Sequence, residues 1–479
     1  MSDSGVPSTS KKIPTAANTL AVGVVGLDLQ ADKVVPRKQV VSWAFWDWAN
    51  QPYNTVILTF IFTALYLLDD PFLPESLRGL ADGNPAKDAG LAVLSSGLGY
   101  AVGAAGLIIA LLAPVLGQRS DTNGNRKRAL GIATILVALT MFALFFVEAD
   151  PKFFVLGISL VALGSVFSEI AGVNYNAMLV QVSTPKTVGR VSGLGWGLGY
   201  IGGILALVIV VVAYSFDWFG IETEDGLPFR LVAVGCAIWS ILFAIPIFLN
   251  VPSLPPIAAR EKVSFFRSYV VLAQDIRKLF RESRNTFWFL IASAVYRDGL
   301  AGVFTFGAAI ASVTFGFGFL EVVGFGIAAN LVAGVSTIIS GRFDDRFGPR
   351  AVILTALIGL VVAGIVVFFG GSWLASLPEE SDQDGKLIFW IFGLLLCVFV
   401  GPAQAASRSL LARVTPAGRE GEIFGLYATT GRAASFISPT LWAVFITIFG
   451  LQYWGVLGIV LVIAVGLVLM LFVKAGKRD

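Results

Sequence analysis

The 479-residue chain contains no histidine and only two cysteines, and only 14% of its residues are charged. Without histidine, the chain lacks the commonest metal ligand and the side chain that ordinarily titrates near neutral pH. Because Cys236 and Cys397 both fall in long apolar runs, structural disulfides and thiolate-held metal sites have no support. Any proton that the chain carries must therefore use an aspartate or a glutamate.

Two kinds of motif are also missing. The sequence has no glycine-rich loop ending in Lys-Ser or Lys-Thr, which an ATP-driven pump needs to hold phosphates. It shows no nucleophile, metal cluster or cofactor motif typical of an enzyme. We therefore expect a protein that is neither an enzyme nor an ATP-driven pump, has no cofactor, and uses a proton gradient as its energy source.

Long hydrophobic runs are abundant in the chain, in which 56% of the residues are hydrophobic. A bilayer-spanning helix needs about 20 mostly apolar residues. Twelve such runs lie near residues 41–68, 91–116, 129–147, 153–178, 190–215, 230–250, 287–313, 318–340, 351–370, 387–412, 422–449 and 453–473. Two groups of six runs predict an all-α integral membrane protein, because barrel strands are only about 10 residues of alternating polarity.

The segments between the runs define the expected domain organisation. We expect a disordered tail over 1–38, a six-helix bundle over 39–250, a linker over 251–286, a second bundle over 287–473 and a short tail over 474–479. No cleavable signal peptide is expected in the first tail, whose apolar patch is interrupted. Apolar residues recur at helical spacing in the linker with basic residues between them, which predicts an amphipathic surface helix. This helix either tethers the two bundles or docks a regulator.

Basic residues mark one side of the membrane. Most of the 34 lysines and arginines fall in the linker, both tails and the even-numbered loops, whereas the other loops contain clusters of acidic residues. Because basic loops are retained in the cytoplasm, both termini are predicted to be cytoplasmic. The net charge of +3 is therefore a sign of topology, and it gives no reason to expect a nucleic-acid partner.

One loop signature occurs twice, between the second and third runs and between the eighth and ninth. Each copy has a glycine, an aspartate four residues on, a glycine three further on, and an arginine two beyond that. The residues are Gly117, Asp121, Gly124 and Arg126 in the first copy and Gly341, Asp345, Gly348 and Arg350 in the second. A duplicated loop implies a duplicated bundle, as in repeat-built transporters.

The signature resembles the cytoplasmic-loop pattern of major facilitator transporters, where it serves as a conformational latch. The resemblance implies that Asp121 and Asp345 bond the positive N-terminal ends of helices across the interface between halves. Arg126 and Arg350 would reach acids on neighbouring helices. The glycines would allow close helix approach and a tight turn.

Polar and charged residues inside the runs indicate where a solute or proton binds, because Asp, Lys or Arg at a helix centre costs about 2.5–3.5 kcal/mol on insertion scales. In the first run, Asp47, Asn50, Gln51 and Asn54 fall at i, i+3, i+4 and i+7, which places them on one helix face. This stripe predicts a face turned to a water-filled cavity, with Asp47 used for substrate or proton binding. The alternative is that Asp47 caps or bridges neighbouring helices within an interfacial tryptophan belt.

Arg297 and Asp298 lie at the equivalent position of the seventh run. Adjacent helical residues point about 100° apart, so the two side chains cannot face the same point. Asp298 is expected to bind a proton or a substrate amine while Arg297 pairs with an acid on another helix, and a purely structural ion pair is the alternative. The remaining candidates are Glu169, Asn176, Gln404, Arg408 and Arg432. Arg408 alternatively snorkels to the surface, and Arg432 alternatively forms a gating pair.

Residues 45–53, 189–200 and 404–413 carry a closer resemblance, to the vacuolar-effluxer-like branch of the major facilitator superfamily (unknown major facilitator family 1). This branch is linked to autophagy in fungi and has bacterial members. The resemblance covers roughly residues 40–475. It implies twelve helices in two pseudo-symmetric halves, with the first, fourth, seventh and tenth spans lining a central cavity. Fungal members are associated with releasing amino acids from the vacuole.

These features predict a secondary active transporter working by alternating access in a bacterial plasma membrane. The leading hypothesis is proton-coupled efflux of amino acids or similar zwitterions, because acids and arginines can hold both ends of such a solute. A lipid or lysolipid transporter of the same fold and a non-transporting membrane sensor are the alternatives. The expected partners are a small-molecule substrate and the lipid bilayer, with no obligate protein partner.

Overall fold

The computed structural model describes residues 34–474 except for gaps at 82, 123–125, 185–186, 254–264, 378–384 and 416–419. The described part is helical and contains no strand. Its helices are α1 (Arg37–Pro52), α2 (Pro85–Thr122), α3 (Arg126–Ala143), α4 (Phe154–Ala177), α5 (Val188–Ser215), α6 (Leu227–Asn250), α7 (Phe265–Glu282), α8 (Arg284–Ala309), α9 (Phe319–Phe347), α10 (Pro349–Leu374), α11 (Lys386–Val414), α12 (Glu420–Ala433), α13 (Ile437–Phe449) and α14 (Trp454–Leu471).

Within these described residues, eleven helical segments are long and apolar enough to cross a membrane. They match the second to twelfth predicted spans, with α12 and α13 together forming the eleventh. The first predicted span is present but is not one continuous α-helix, since α1 continues into π-helical segments at Tyr53–Phe60 and Thr63–Leu67. The prediction of an all-α membrane fold with two six-helix halves is confirmed, while the ends of several spans differ by a few residues.

Pro52 explains where α1 changes geometry. Proline has no backbone N–H, so the carbonyl four residues earlier, that of Trp48, loses its helical partner. The indole of Trp239 on α6 donates to this carbonyl at 3.1 Å, and the hydroxyl of Ser240 donates to the carbonyl of Ala49 at 2.7 Å. The irregular backbone of the first span is therefore satisfied by α6 from within the same half, as an apolar membrane requires.

Two sides of the bundle can be distinguished. The motif side is where α2 ends and α3 begins, α9 ends and α10 begins, and α7 lies. The acidic side is the opposite one, where the first span ends and α13 and α14 are joined.

Peripheral helices expose large apolar side chains such as Leu242, Ile338 and Val362, a surface suited to lipid.

The two halves are in contact at the acidic side. The hydroxyl of Ser312 donates to the carbonyl of Ala64 at 3.1 Å, and the rings of Tyr214 and Phe319 stack with centroids 4.1 Å apart. The amide of Gln452, buried between α13 and α14, donates to Ser95 on α2 at 2.9 Å. These contacts close the acidic side of the interface between halves.

Candidate substrate and proton site

Asp47 lies where α1 packs closely against α5. Three glycines spaced by four residues, Gly195, Gly199 and Gly203, line the facing side of α5. A Cβ atom on Gly199 would lie 3.1 Å from the carboxyl carbon of Asp47, and one on Gly203 would lie 2.9 Å from Cγ of Gln51. Small residues at this spacing allow two membrane helices to approach closely. Asp47 and Gln51 are therefore turned toward α5.

The carboxylate of Asp47 has no hydrogen bond or ion pair with any residue that the structure describes, although its side chain is only partly exposed. The hydroxyl of Tyr175 and the indole N–H of Trp48 are buried nearby and likewise lack a partner among the described residues. Unpaired ionisable and polar groups inside a membrane bundle are costly, so their concentration at one point indicates a functional site.

Two other residues of the predicted stripe on the first span form hydrogen bonds with neighbouring residues. Asn50 bonds Ser168 on α4, with its amide nitrogen 3.1 Å from the serine oxygen. Gln51 donates to Thr55 at 3.2 Å along its own helix. Of the four residues in the stripe, Asp47 and Asn54 are the two whose side chains form no hydrogen bond to a described residue. Because α4 and α5 pack against much of that face, the assignment of the whole stripe to one water-filled cavity stays a prediction.

Arg408 on α11 approaches the same region from the second half. Its guanidinium carbon lies 5.5 Å from the ring centroid of Trp196, which is itself 6.2 Å from that of Tyr200. Tyr200, one helical turn beyond Trp196 on α5, lies within electrostatic range of both Asp47 and Arg408. Arg408 is exposed and has no ion pair within the described residues. An acid of one half and a cation of the other thus lie near one aromatic surface on α5.

Arg297 on α8 lies against α12. Its guanidinium stands 4.1 Å from the ring centroid of Tyr427 and donates to the Tyr427 carbonyl at 3.3 Å. The predicted acidic partner is not found among the described residues, so the expectation of an intramembrane ion pair is corrected to a cation–π contact. Arg297 keeps its charge unneutralised and stays in the candidate site as a second cation.

Asp298 is bonded to the backbone of a helix in its own half. It is only 6% exposed, and its Oδ2 accepts a hydrogen bond from the backbone N–H of Ser438 at 2.6 Å. Ser438 is the second residue of α13, where backbone N–H groups have no helical partner and the helix dipole is positive. The eleventh span is interrupted between Ala433 and Ile437, and Asp298 caps the helix that resumes there. The structure thus gives this carboxylate a structural partner, and the binding of a proton or amine by Asp298 stays a prediction.

Glu169 and Arg432 pair with each other across the interface. The Nε atom of Arg432 on α12 lies 3.4 Å from Oε2 of Glu169 on α4. The Glu169 side chain is 52% exposed, so the pair is accessible to solvent. Of the two roles predicted for Arg432, this geometry matches the gating pair.

The two other predicted site residues have no described hydrogen-bond partner. Asn176 is exposed near the end of α4, and Gln404 is half-buried on α11. Their assignment to the substrate site stays a prediction.

The charged candidates lie at depths that differ by about 10 Å, all within the motif-side half of their spans. With a rise of about 1.5 Å per residue, Asp47 is about 15 Å from the start of α1, Arg297 about 20 Å from the start of α8, and Arg408 about 9 Å from the end of α11. All three ends are on the motif side. The site therefore lies between the middle of the membrane and the motif side, away from the sealed acidic side.

The arginines of the loop signatures contact helix ends of their own half. Arg126 donates to the carbonyl of Ala177, the last residue of α4, at 3.0 Å. Arg350 donates to the carbonyls of Val473 at 2.5 Å and Leu471 at 3.3 Å, at the end of α14. Unpaired carbonyls at a helix C-terminus attract cations. The expectation that Arg350 reaches an acid is therefore wrong for the described residues.

The other members of the signatures are only partly described. Gly348 separates α9 from α10 with φ at +85°, a conformation that favours glycine, whereas Gly341 has open space around it and makes no close helix contact. Asp344, next to Asp345, pairs with Arg413 at 3.3 Å. Gly124 and the side chains of Asp121 and Asp345 lie outside the described residues, and Gly117 lies in the part of α2 whose surroundings are not described.

Sequence reasoning missed several residues of this site. The four-residue spacing of Gly195, Gly199 and Gly203 was a readable signal for close packing of α5. Tyr200, Tyr427 and Ser438 gave no signal, because nothing in a single sequence shows which ring or which backbone N–H lies beside a charged residue.

Two six-helix halves, closed on one side, with unpaired charges from both halves at the centre, define a membrane transporter of the major facilitator type. Solved structures of that fold superpose over nearly the whole chain. A D-xylose–proton symporter matches with a TM-score of 0.63 at 12% identity, covering 92% of this chain and 98% of its own. A bacterial homologue of the iron transporter ferroportin, in an inward-facing state, matches with 0.60 at 14% identity, covering 92% and 98%.

The chain belongs to the family described as vacuole effluxer Atg22 like, which matches residues 89–479. The uncharacterized MFS-type transporter YxiO of Bacillus subtilis (strain 168) is 28% identical over 444 residues, 91% of this chain and 95% of that protein. Autophagy-related protein 22 of Cryptococcus neoformans is 24% identical over 317 residues, 61% of this chain. The match spans 52% of the fungal protein, about half of its length. The predicted resemblance is confirmed.

Proposed function

We propose that this transporter exports amino acids or similar small zwitterions in exchange for protons, by alternating access, from a bacterial cell whose cytoplasm faces the motif side. The observation that carries the proposal is that Asp47 and Arg408, one from each half, both lie against α5, Asp47 beside Gly199 and Arg408 beside Trp196, and that neither has a charged partner among the described residues.

A zwitterion is the kind of solute that matches this arrangement. An ammonium group can donate to the Asp47 carboxylate, while a carboxylate can accept two parallel hydrogen bonds from the guanidinium of Arg408. Arg297 supplies a second cation. Because the acid and the cations belong to different halves, a bound zwitterion bridges the halves and favours their closure around it.

Asp47 also offers a simple route to coupling. The chain has no histidine, so a carboxyl group must carry the proton. A protonated Asp47 is neutral and attracts an ammonium group less, so a proton and the solute compete for the same group. If Asp47 is accessible from one side of the membrane at a time, this competition exchanges the solute on one side for a proton on the other.

The contacts between halves fit the alternating movement. The Ser312–Ala64 and Gln452–Ser95 hydrogen bonds must break for the acidic side to open. The Glu169–Arg432 pair spans the interface toward the motif side. One set of contacts would therefore be exchanged for another as the halves rock.

The test is efflux from proteoliposomes that contain the purified full chain. Vesicles loaded with a labelled amino-acid mixture would release it faster when the proton concentration is higher on the outside, and the gradient would dissipate as they do so. Equal release from protein-containing and protein-free vesicles would overturn the proposal. In that case a fluorescent lysolipid transfer assay on the same vesicles would test the lipid alternative.

A further inference from the structure

The linker helix α7 is held against both halves along one of its faces. The hydroxyl of Tyr269 donates to the carbonyl of Leu111 on α2. Leu279 is fully buried, and Leu272 and Ile276 are partly buried against the main core. These four positions fall within about 80° of one another on a helix with 100° per residue. The packed face of α7 is therefore satisfied by the protein itself.

The opposite face of α7 is cationic and pairs with none of the residues that the structure describes. Four of its residues, here called the basic face, are all exposed and form no ion pair with any described residue: Arg267, Arg277, Lys278 and Arg281. At 100° per residue they cluster on the side away from the packed face. Four like charges on one helix face repel one another, and Glu282 is the one described acid beside them on α7, so a further source of negative charge next to this face would stabilise the arrangement.

A row of aromatic rings lies at this end of α7. Phe280 contacts Phe287 on α8, with ring centroids 5.0 Å apart, and Phe287 contacts Trp288 at 5.6 Å. Trp288 in turn lies 6.2 Å from Phe472, which follows α14 and is 64% exposed. Aromatic belts of this kind occur at the boundary between the hydrocarbon and the headgroups.

A further cation lies within this belt. The guanidinium of Arg284, the first residue of α8, stands 5.4 Å from the ring centroid of Phe280. Phe280 itself is 40% exposed beside the basic face. An apolar ring flanked by guanidinium groups is suited to a molecule with acyl chains and an anionic headgroup.

We propose that the basic face of α7 is a binding surface for anionic phospholipid headgroups. Guanidinium groups form paired hydrogen bonds to a phosphate diester, and the lysine adds a point charge. Phe280 contacts the upper part of the acyl chains, while Tyr269 and Leu279 fix the helix at the correct depth. This binding is independent of the transported solute and of its coupling to protons.

The test measures lipid retained by the full-length transporter in mild detergent. The purified protein is incubated with phosphatidylglycerol or with phosphatidylcholine of the same acyl chains, and bound lipid is counted by native mass spectrometry. We expect retention of phosphatidylglycerol to exceed that of phosphatidylcholine by about tenfold, since each basic residue near an anionic surface adds to the attraction.

A matched pair of double variants locates the binding. Lys278→Gln with Arg281→Gln removes two charges from the basic face, whereas Arg128→Gln with Arg342→Gln removes two exposed charges elsewhere on the motif side. All four side chains are exposed, so both proteins should keep the unfolding temperature of the parent. The first pair should lower phosphatidylglycerol retention about fivefold or more, and the second less than twofold.

Two results would overturn the proposal. Equal retention of the two lipids by the parent protein would show that headgroup charge is not recognised. Equal loss in the two double variants would show that retention follows total positive charge and that α7 has no special part in it. Either result would leave an acidic protein segment as the occupant to be tested next, by binding of a poly-glutamate peptide.

Discussion

Asp47 and Asp298 occupy equivalent positions in the two halves, and the structure treats them in opposite ways. Asp298 is buried and bonded to the backbone of α13 at 2.6 Å. Asp47 is partly exposed and has no described partner. The cause lies in the helix beside each residue. The eleventh span is broken and presents free N–H groups, whereas α5 is continuous and its own hydrogen bonds use its N–H groups.

An intramembrane charge therefore cannot be assigned a role from its position in a repeat. Of two aspartates at matching positions, one can stabilise the fold while the other binds a substrate or a proton, depending on whether a neighbouring helix supplies a hydrogen-bond donor. Each prediction below changes one member of this comparison or a contact that supports it.

The largest effect is expected for Asp298→Ala. The change removes a charge-assisted hydrogen bond and leaves the Ser438 N–H unpaired, which together should lower the free energy of unfolding by about 3 kcal/mol. Thermal unfolding in detergent would show this as a clearly lower midpoint. Asp298→Asn should lose less, because its amide oxygen can still accept. An unchanged midpoint in Asp298→Ala would mean that the cap does not stabilise α13.

Asp47→Asn should have the second-largest effect, on transport alone. Asparagine cannot carry a proton or a negative charge, so gradient-driven efflux should fall about tenfold or more. The unfolding midpoint should stay at or above that of the parent, because no described hydrogen bond is lost. Asn54→Ala, a neighbouring change on the same helix that keeps the charge, serves as the control and should reduce efflux less.

Reversing the Glu169–Arg432 pair should have a moderate effect. Glu169→Arg places two cations across the interface and should slow efflux about threefold to tenfold, with little change in stability, since exposed pairs contribute only about 0–1 kcal/mol. The double variant Glu169→Arg with Arg432→Glu should recover most of the rate. Failure of the second change to restore efflux would indicate that the two residues do not act as a pair.

The smallest effect is expected for Gly199→Ala. The added methyl group would lie 3.1 Å from the Asp47 carboxyl carbon, so α1 and α5 must separate by a few tenths of an ångström. We expect a loss of about 1 kcal/mol in stability. Gly235→Ala on α6, where no atom lies within 4 Å of the added carbon, is the matched control and should be neutral. Equal unfolding midpoints would argue against tight α1–α5 packing.

Much of the fold was accessible from the sequence because the bilayer imposes a simple rule on helix length. Runs of about 20 apolar residues located the twelve spans, and the basic amphipathic pattern located α7. Pro439, in the first turn of α13, is a local signal for the interruption after Ala433, because proline lacks the N–H that would continue the helix from Ser435. The sequence does not show that Asp298 satisfies the helix that follows.

The candidate site was predicted less completely. The energetic cost of intramembrane charges correctly selected residues in need of an explanation, among them Asp47, Asp298 and Arg432. Which of them pair with one another depends on distances between helices remote in sequence. Ser438, the partner of Asp298, is 140 residues away in the sequence, and Glu169, the partner of Arg432, is 263 residues away. Neither pairing produces a local sequence pattern.

The contrast between the two aspartates would be measured by comparing Asp47→Asn with Asp298→Asn in parallel proteoliposomes under the same imposed proton gradient. We predict that Asp47→Asn is folded yet loses gradient-driven amino-acid efflux, while Asp298→Asn unfolds at a lower temperature yet keeps gradient-driven efflux per folded molecule. Full gradient-driven efflux by Asp47→Asn, with its loss in folded Asp298→Asn, would contradict the assignment of the two residues.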